Sequence, residues 1–145
     1  GGTVSASNLY LENNSDDSVD WTEEWSGKIS NVDISHTKEG FSTVFEGDKD
    51  NANPQFENIT AVSTVGGTGL QFKKQSGGTI TGLNLSGYGV DIDMKDAGPL
   101  SNVKIEGKDA DASLLEGETR KYKLNSGKDA AKVDISAWTW RNAGL

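Results

Sequence analysis

A short pattern recurs five times along this chain: an apolar residue, a spacer, Asn or Gly, then apolar, polar, apolar. It reads Ala6-Ser-Asn8-Leu9-Tyr-Leu11, Ile29-Ser-Asn31-Val32-Asp-Ile34, Phe56-Glu-Asn58-Ile59-Thr-Ala61, Ile80-Thr-Gly82-Leu83-Asn-Leu85 and Leu100-Ser-Asn102-Val103-Lys-Ile105. The Asn or Gly positions lie 23, 27, 24 and 20 residues apart. A fixed pattern at such a period, with insertions of variable length, marks a solenoid.

The alternation after each Asn or Gly is that of a strand with one buried face. The Asn or Gly itself reads as a corner, because these residues best tolerate the left-handed backbone that bends one strand into the next. A second alternating run follows in each repeat: SVDW, STVFEG, GLQFKK, VDIDMKD and a weaker ASLLEG. Equivalent strands of successive coils must run parallel, since every coil returns in the same direction. The expected fold is all-β, a right-handed parallel β-helix of about five coils. One inward column would hold Leu9, Val32, Ile59, Leu83 and Val103, and a second Leu11, Ile34, Ala61, Leu85 and Ile105. Asn8, Asn31, Asn58 and Asn102 would stack as a corner ladder with amides bonded along the pile. The 18 Gly against 2 Pro suit a chain that turns often.

From Lys108 onward the spacing breaks. The chain is read as one domain over 1–145, with repeats over 3–107 and an irregular capping segment over 108–145. Within that segment DASLLEGETRKYKL reads as strand or short helix, and KVDISAWTW as a strand bringing Trp138 and Trp140 to cover the end of the stack. The other end begins inside a repeat, as expected of a piece of a longer surface protein or of a surface for self-association through an open coil.

The net charge of −8 argues against nucleic acid, because phosphate binding needs a basic stripe and the 14 Lys and Arg form none. No apolar run approaches the roughly 18 residues of a membrane span. With no Cys, disulfide frameworks and thiolate metal sites are excluded.

The stretch NNSDDSVDWTEEWSGKISNV, Asn13 to Val32, resembles a coil of uncharacterised bacterial secreted or lipid-anchored β-helix proteins. These carry acidic residues, a D-W or D-x-W-T-E-G step and a G-K-I/L-Q/S-N strand. NPQFENITAV, Asn53 to Val62, is similar to their N-P-x-I-x-N-V/I-T coil. The resemblance covers about the first 65 residues and implies placement outside the cell or on the bacterial surface, with no activity to carry over. Where those proteins have Gly, this chain has Glu24.

Asp16, Asp17, Asp20 and Glu23, with Glu24, surround Trp21 in the densest acidic stretch, and several carboxylates on a flexible turn are what calcium requires. The alternative is a solvated acidic loop. Asp48, Asp50 and Asn53 in EGDKDNANP form a second candidate cation loop, or an Asx-rich turn. It is not an EF-hand, for position six is Asn53 and position twelve Ile59. Asp91 and Asp93 read as cross-strand charge partners of Gln71 and Lys73. Trp21 and Trp25 are candidates to stack on sugar rings, or to fill the core. The single His36 reads as a surface histidine, with no Ser or Cys nucleophile arrangement beside it.

Some parallel β-helix enzymes cut acidic polysaccharides. The polygalacturonase-like signatures G-H-G and R-I-K are absent here, although Asp16-Asp17 is faintly similar to that family's acid pair. The leading expectation is a non-enzymatic extracellular module displaying loops for adhesion, or for binding glycans, cations or a surface protein. A polysaccharide lyase-like or hydrolase-like domain and a purely structural spacer or assembly unit are the alternatives.

Overall fold

The computed structural model describes residues 1–111 and 113–138. It is a parallel β-solenoid of four complete two-strand turns and an abbreviated fifth. The first strands of the turns are β1 (Ala6–Glu12), β3 (Lys28–His36), β5 (Gln55–Ser63), β7 (Gly78–Ser86) and β9 (Val103–Ile105). The second strands are β2 (Val19–Thr22), β4 (Thr43–Asp48), β6 (Thr68–Phe72) and β8 (Val90–Met94). They build two sheets, one ordered β1-β3-β5-β7-β9 and the other β2-β4-β6-β8. Every pairing within these runs is parallel.

The inward columns stack in the expected register through four turns. Leu9 lies beside Val32, Val32 beside Ile59 and Ile59 beside Leu83; Leu11, Ile34, Ala61 and Leu85 follow in the same way. From Val32 upward these side chains are almost wholly excluded from solvent. The second sheet contributes the columns Val19-Phe45-Leu70-Ile92 and Trp21-Gly47-Phe72-Met94. Phe45, Phe56 and Trp21 meet across the interior, the Phe45 and Phe56 rings 4.8 Å apart. One turn alone would leave this apolar surface wet above and below; stacking removes it from water on both sides.

The corners are as the pattern requires. Asn8, Asn31 and Asn58 hold φ values of 59°, 56° and 55°, and Gly82 replaces them at φ 66°. The Asn31 amide donates to Asn8 Oδ1 at 3.1 Å and the Asn58 amide to Asn31 Oδ1 at 3.1 Å. Gly82 has no carboxamide to continue the row, so the ladder stops at Asn58; a Cβ on Gly82 would press on Asn58 Oδ1 at 2.8 Å.

The fifth repeat departs from expectation. Val103 pairs with Gly78 and Ile105 with Ile80, five residues from the predicted partners Leu83 and Leu85. Pro99 and the 3-10 turn Leu100–Asn102 take up the chain that would have continued the corner. Asn102 therefore leaves the ladder, and its amide donates to the Gln75 carbonyl at 2.8 Å. Here the direction also reverses. β10 (Lys108–Asp109) folds back antiparallel on β9. ASLLEG does not form a fifth parallel strand; instead β11 (Leu115–Glu118) and β12 (Lys121–Leu124) make a hairpin, and β12 lies antiparallel against β8. The helical alternative is excluded by this hairpin.

Candidate functional site

The bend between β1 and β2 carries Asp16 and Asp17, β2 carries Asp20, and the turn after it carries Glu23. Thr43 donates its hydroxyl to Asp17 Oδ1 at 2.6 Å. Register sets Asp20 beside Glu46, Glu46 beside Gln71 and Gln71 beside Asp93, on the face away from the apolar core. Glu46 is buried and paired with the Lys73 ammonium. Burial, together with the neighbouring Asp17, pushes the Glu46 carboxyl above its ordinary range, against the pull of Lys73. Burial and the charge of Asp17 raise the Asp20 carboxyl too, with Lys73 again opposing. The fold thus brings Asp17 and Asp20 together with Glu46, which pattern reading passed over, around one lysine.

Glu23 is not part of that group. Its side chain turns to Lys49, whose hydrogen bond holds the Glu23 carboxyl low. In the second acidic loop Asp48 pairs with Lys74 at 3.0 Å and is held low by it. Asn53 accepts from the Thr79 hydroxyl at 2.7 Å, and Asp50 is exposed. Among the described residues no three acidic or imidazole groups are disposed to hold a metal ion.

Asp91 and Asp93 do meet charge, but from an unexpected side. Asp93 lies beside Gln71 as anticipated, whereas Asp91 is not partnered by Lys73. Asp91, 1 % exposed, accepts from Lys123 Nζ at 3.2 Å, Lys128 Nζ at 2.8 Å and the Leu124 backbone N–H at 2.9 Å. Arg120 Nε stands 3.4 Å from Asp93. All these partners belong to the C-terminal segment.

Trp21 is a core residue, 7 % exposed and packed against Phe45, Phe56 and Phe72. Gly47 makes room for it, since a Cβ there would strike the indole. Trp25 is half-buried and donates its indole N–H to the Val4 carbonyl at 3.0 Å. With Val4, Val19 and Ile29 the two rings line a cavity of about 440 Å³ at the β1-β2 end of the stack.

His36 is not on the surface. It continues the inward alternation Val32, Ile34, His36 and is fully buried, stacked on Phe41 with ring centres 3.7 Å apart. Its Nε2 lies 3.1 Å from Ser18 Oγ and its Nδ1 3.0 Å from Tyr88 Oη. The histidine thus ties the first turn to the fourth, and burial lowers its pKa. The period of two was the signal that would have found it.

Over residues 132–138 the chain forms no strand where KVDISAWTW leads one to expect it, and Trp138 does not cover the end of the core. Residues 128–130 instead pair with the end of β7, Leu85 N donating to the Lys128 carbonyl at 2.9 Å and Ala130 N to the Leu83 carbonyl at 3.0 Å. The strap then descends the outer face of the first sheet, where Val133 N donates to Thr60 Oγ1 at 2.8 Å. Trp138 comes to rest beside Asn31 and Asn58, lining with Ala131, Lys132, Val133 and Asp134 a cavity of about 360 Å³. Trp140 lies outside the described residues.

A family model described as a pectate-lyase like beta helix domain matches residues 1–144. The chain belongs to this family. The description, a beta helix domain, agrees with the parallel coils of the structure. No curated protein matches the chain, and no solved structure does. Among the described residues no helix is long and apolar enough to cross a membrane.

Proposed function

We propose that this pectate-lyase-like domain is a non-catalytic glycan-binding module, displayed outside the cell or on a bacterial surface. The observation that carries the non-catalytic part is the pairing of acids with bases on the second to fourth rungs of the second sheet: Glu46 with Lys73, Asp48 with Lys74, Asp91 with Lys123 and Lys128, Asp93 with Arg120. Carboxylates tied to lysine or arginine in this way are held in place as structure, whereas hydrolysis needs a free pair flanking an open cleft. The family's description supports a polysaccharide as the class of ligand. Adhesion to a surface protein and self-association through the β1-β2 edge are compatible with the same display.

A hydrolase-like reading has one observation in its favour. Asp20 and Glu46 both have raised pKa values beside Asp17, and a general acid needs its proton near neutral pH. One experiment separates the two readings. The chain is incubated with a panel of plant and bacterial polysaccharides, and retention on the insoluble polymer and release of new reducing or unsaturated ends are both measured. Retention without new ends is expected. Ends that vanish in Asp20→Asn would replace the binding module by an enzyme.

A further inference from the structure

We propose that the cleft between the C-terminal strap and the asparagine ladder is a subsite for one neutral pyranose ring. This rests on the glycan-binding reading and names its site. The cavity, about 360 Å³, lies within the range of small-ligand sites, about 300–1,000 Å³. Its lining joins the three kinds of group a sugar hydroxyl face requires. The Trp138 indole is half-buried and set at the cleft by a backbone bond from Trp138 N to the Ile135 carbonyl at 3.2 Å. Flat indole faces pack against the apolar C–H face of a pyranose. Donors come from the Asn31 and Asn58 amides and from Lys132, acceptors from the same amides and from Asp134.

Two features prepare these groups. The ladder bonds fix the carboxamide planes, and Asn31 spends only one N–H and one oxygen lone pair on it, leaving one of each. Lys132 is exposed and makes no hydrogen bond or ion pair among the described residues. Asp134 is exposed, and hydrogen bonds from the Ser136 side chain and from Ser136 N, the latter at 2.9 Å to Oδ1, hold its carboxyl low. Lys132 and Asp134 flank the cleft with opposite charges, so it favours neither anion nor cation. Vicinal hydroxyls, each both donor and acceptor, match alternating donors and acceptors of this kind.

The test uses the whole chain. Glucose, galactose, mannose and xylose are titrated into ¹⁵N-labelled protein, with glucuronate and glucosamine as charged controls, while the Trp138 indole and the Asn31 and Asn58 side-chain amide signals are followed. These signals are expected to shift with at least one neutral sugar and less with either control. Trp138→Ala should weaken that binding and polysaccharide retention by about tenfold, Lys132→Ala by less, and Trp25→Ala not at all. Should the Trp138 variant misfold, the shifts of the wild-type amides decide alone. Undiminished polysaccharide retention by a folded Trp138→Ala, or shifts confined to other residues, overturns the subsite and leaves the module reading standing. Preference for a charged sugar overturns the neutral class. Failure of the wild type to retain any polysaccharide overturns both.

Discussion

The two ends of the stack are built from the same coils and finished differently. At the far end, β12 lies antiparallel beside β8, β10 folds back on β9, and three basic side chains from the segment close on Asp91 and Asp93. At the near end, β1 and β2 each pair on one side only among the described residues, and Leu9, Leu11, Trp25 and Ile29 are only partly buried. The exposed large apolar side chains, Val4 and Tyr10, are there as well. The far end still has edge strands, but they are short, β11 of four residues and β10 of two, and short edge strands offer little for a further strand to pair with.

The largest test of this contrast removes the far lock. Asp91→Ala strands Lys128 and the buried Leu124 N–H and leaves Lys123 only the Tyr88 carbonyl, and should lower unfolding free energy by about 2–4 kcal/mol, less than for a fully buried charge because the lysines keep some solvent. Urea denaturation would measure it, and an unchanged midpoint would mean the hairpin holds without its ions. Next comes one column read at two heights. Leu83→Ala, at a wholly buried position, should cost about 2–5 kcal/mol, and Leu9→Ala less than half of that. Equal losses would show that the near end is as closed as the far one.

His36 connects the two regions through Ser18 and Tyr88, which makes its titration a third probe. Burial lowers its pKa in the fold, so the unfolded chain takes the proton first as pH falls. The stability it supports is complete above the unfolded value near ~6.5 and is lost as pH drops through and below it. His36→Gln should flatten the melting profile over that window; an identical slope would show that other groups set it. A smaller gain is expected from Glu24→Gly. Glu24 sits at φ 61°, a left-handed backbone that Gly adopts more readily, and relieving it should add about 1 kcal/mol or less. The smallest effect concerns calcium. With Glu23 on Lys49 and Asp48 on Lys74, melting midpoints in calcium and in chelator should coincide; a rise of several degrees in calcium would give the acidic loops a metal after all.

Legibility in the sequence follows the same division. Four turns could be read because each inward residue repeats its neighbour's chemistry: Val32, Ile59 and Leu83 are interchangeable in kind, and the Asn before each marks the bend. The fifth could not, since Leu100-Ser-Asn102-Val103 has the right letters while Pro99 diverts the backbone into a 3-10 turn and shifts the pairing by five residues. The cap was opaque because its order depends on which strand edge is vacant, a property of the finished stack and not of any window of residues. Of the candidate site residues, Asp17 and Asp20 were found by charge density. Glu46 was not, for it looked like one more polar residue in an alternating strand. The bulk of Trp138 is legible in the sequence but its surface is not, because nothing periodic links 131–138 to the asparagine corners it lies against.

The asparagine row has a direction. Each carboxamide gives its hydrogen to the one before it, so the dipoles of Asn58, Asn31 and Asn8 point the same way, like a short wire of aligned magnets. Any rung laid before Asn8 in continuation of this row must offer an oxygen there and not a second hydrogen. Such a polarity tells a correctly oriented neighbour from an inverted one before a single apolar side chain has met its match.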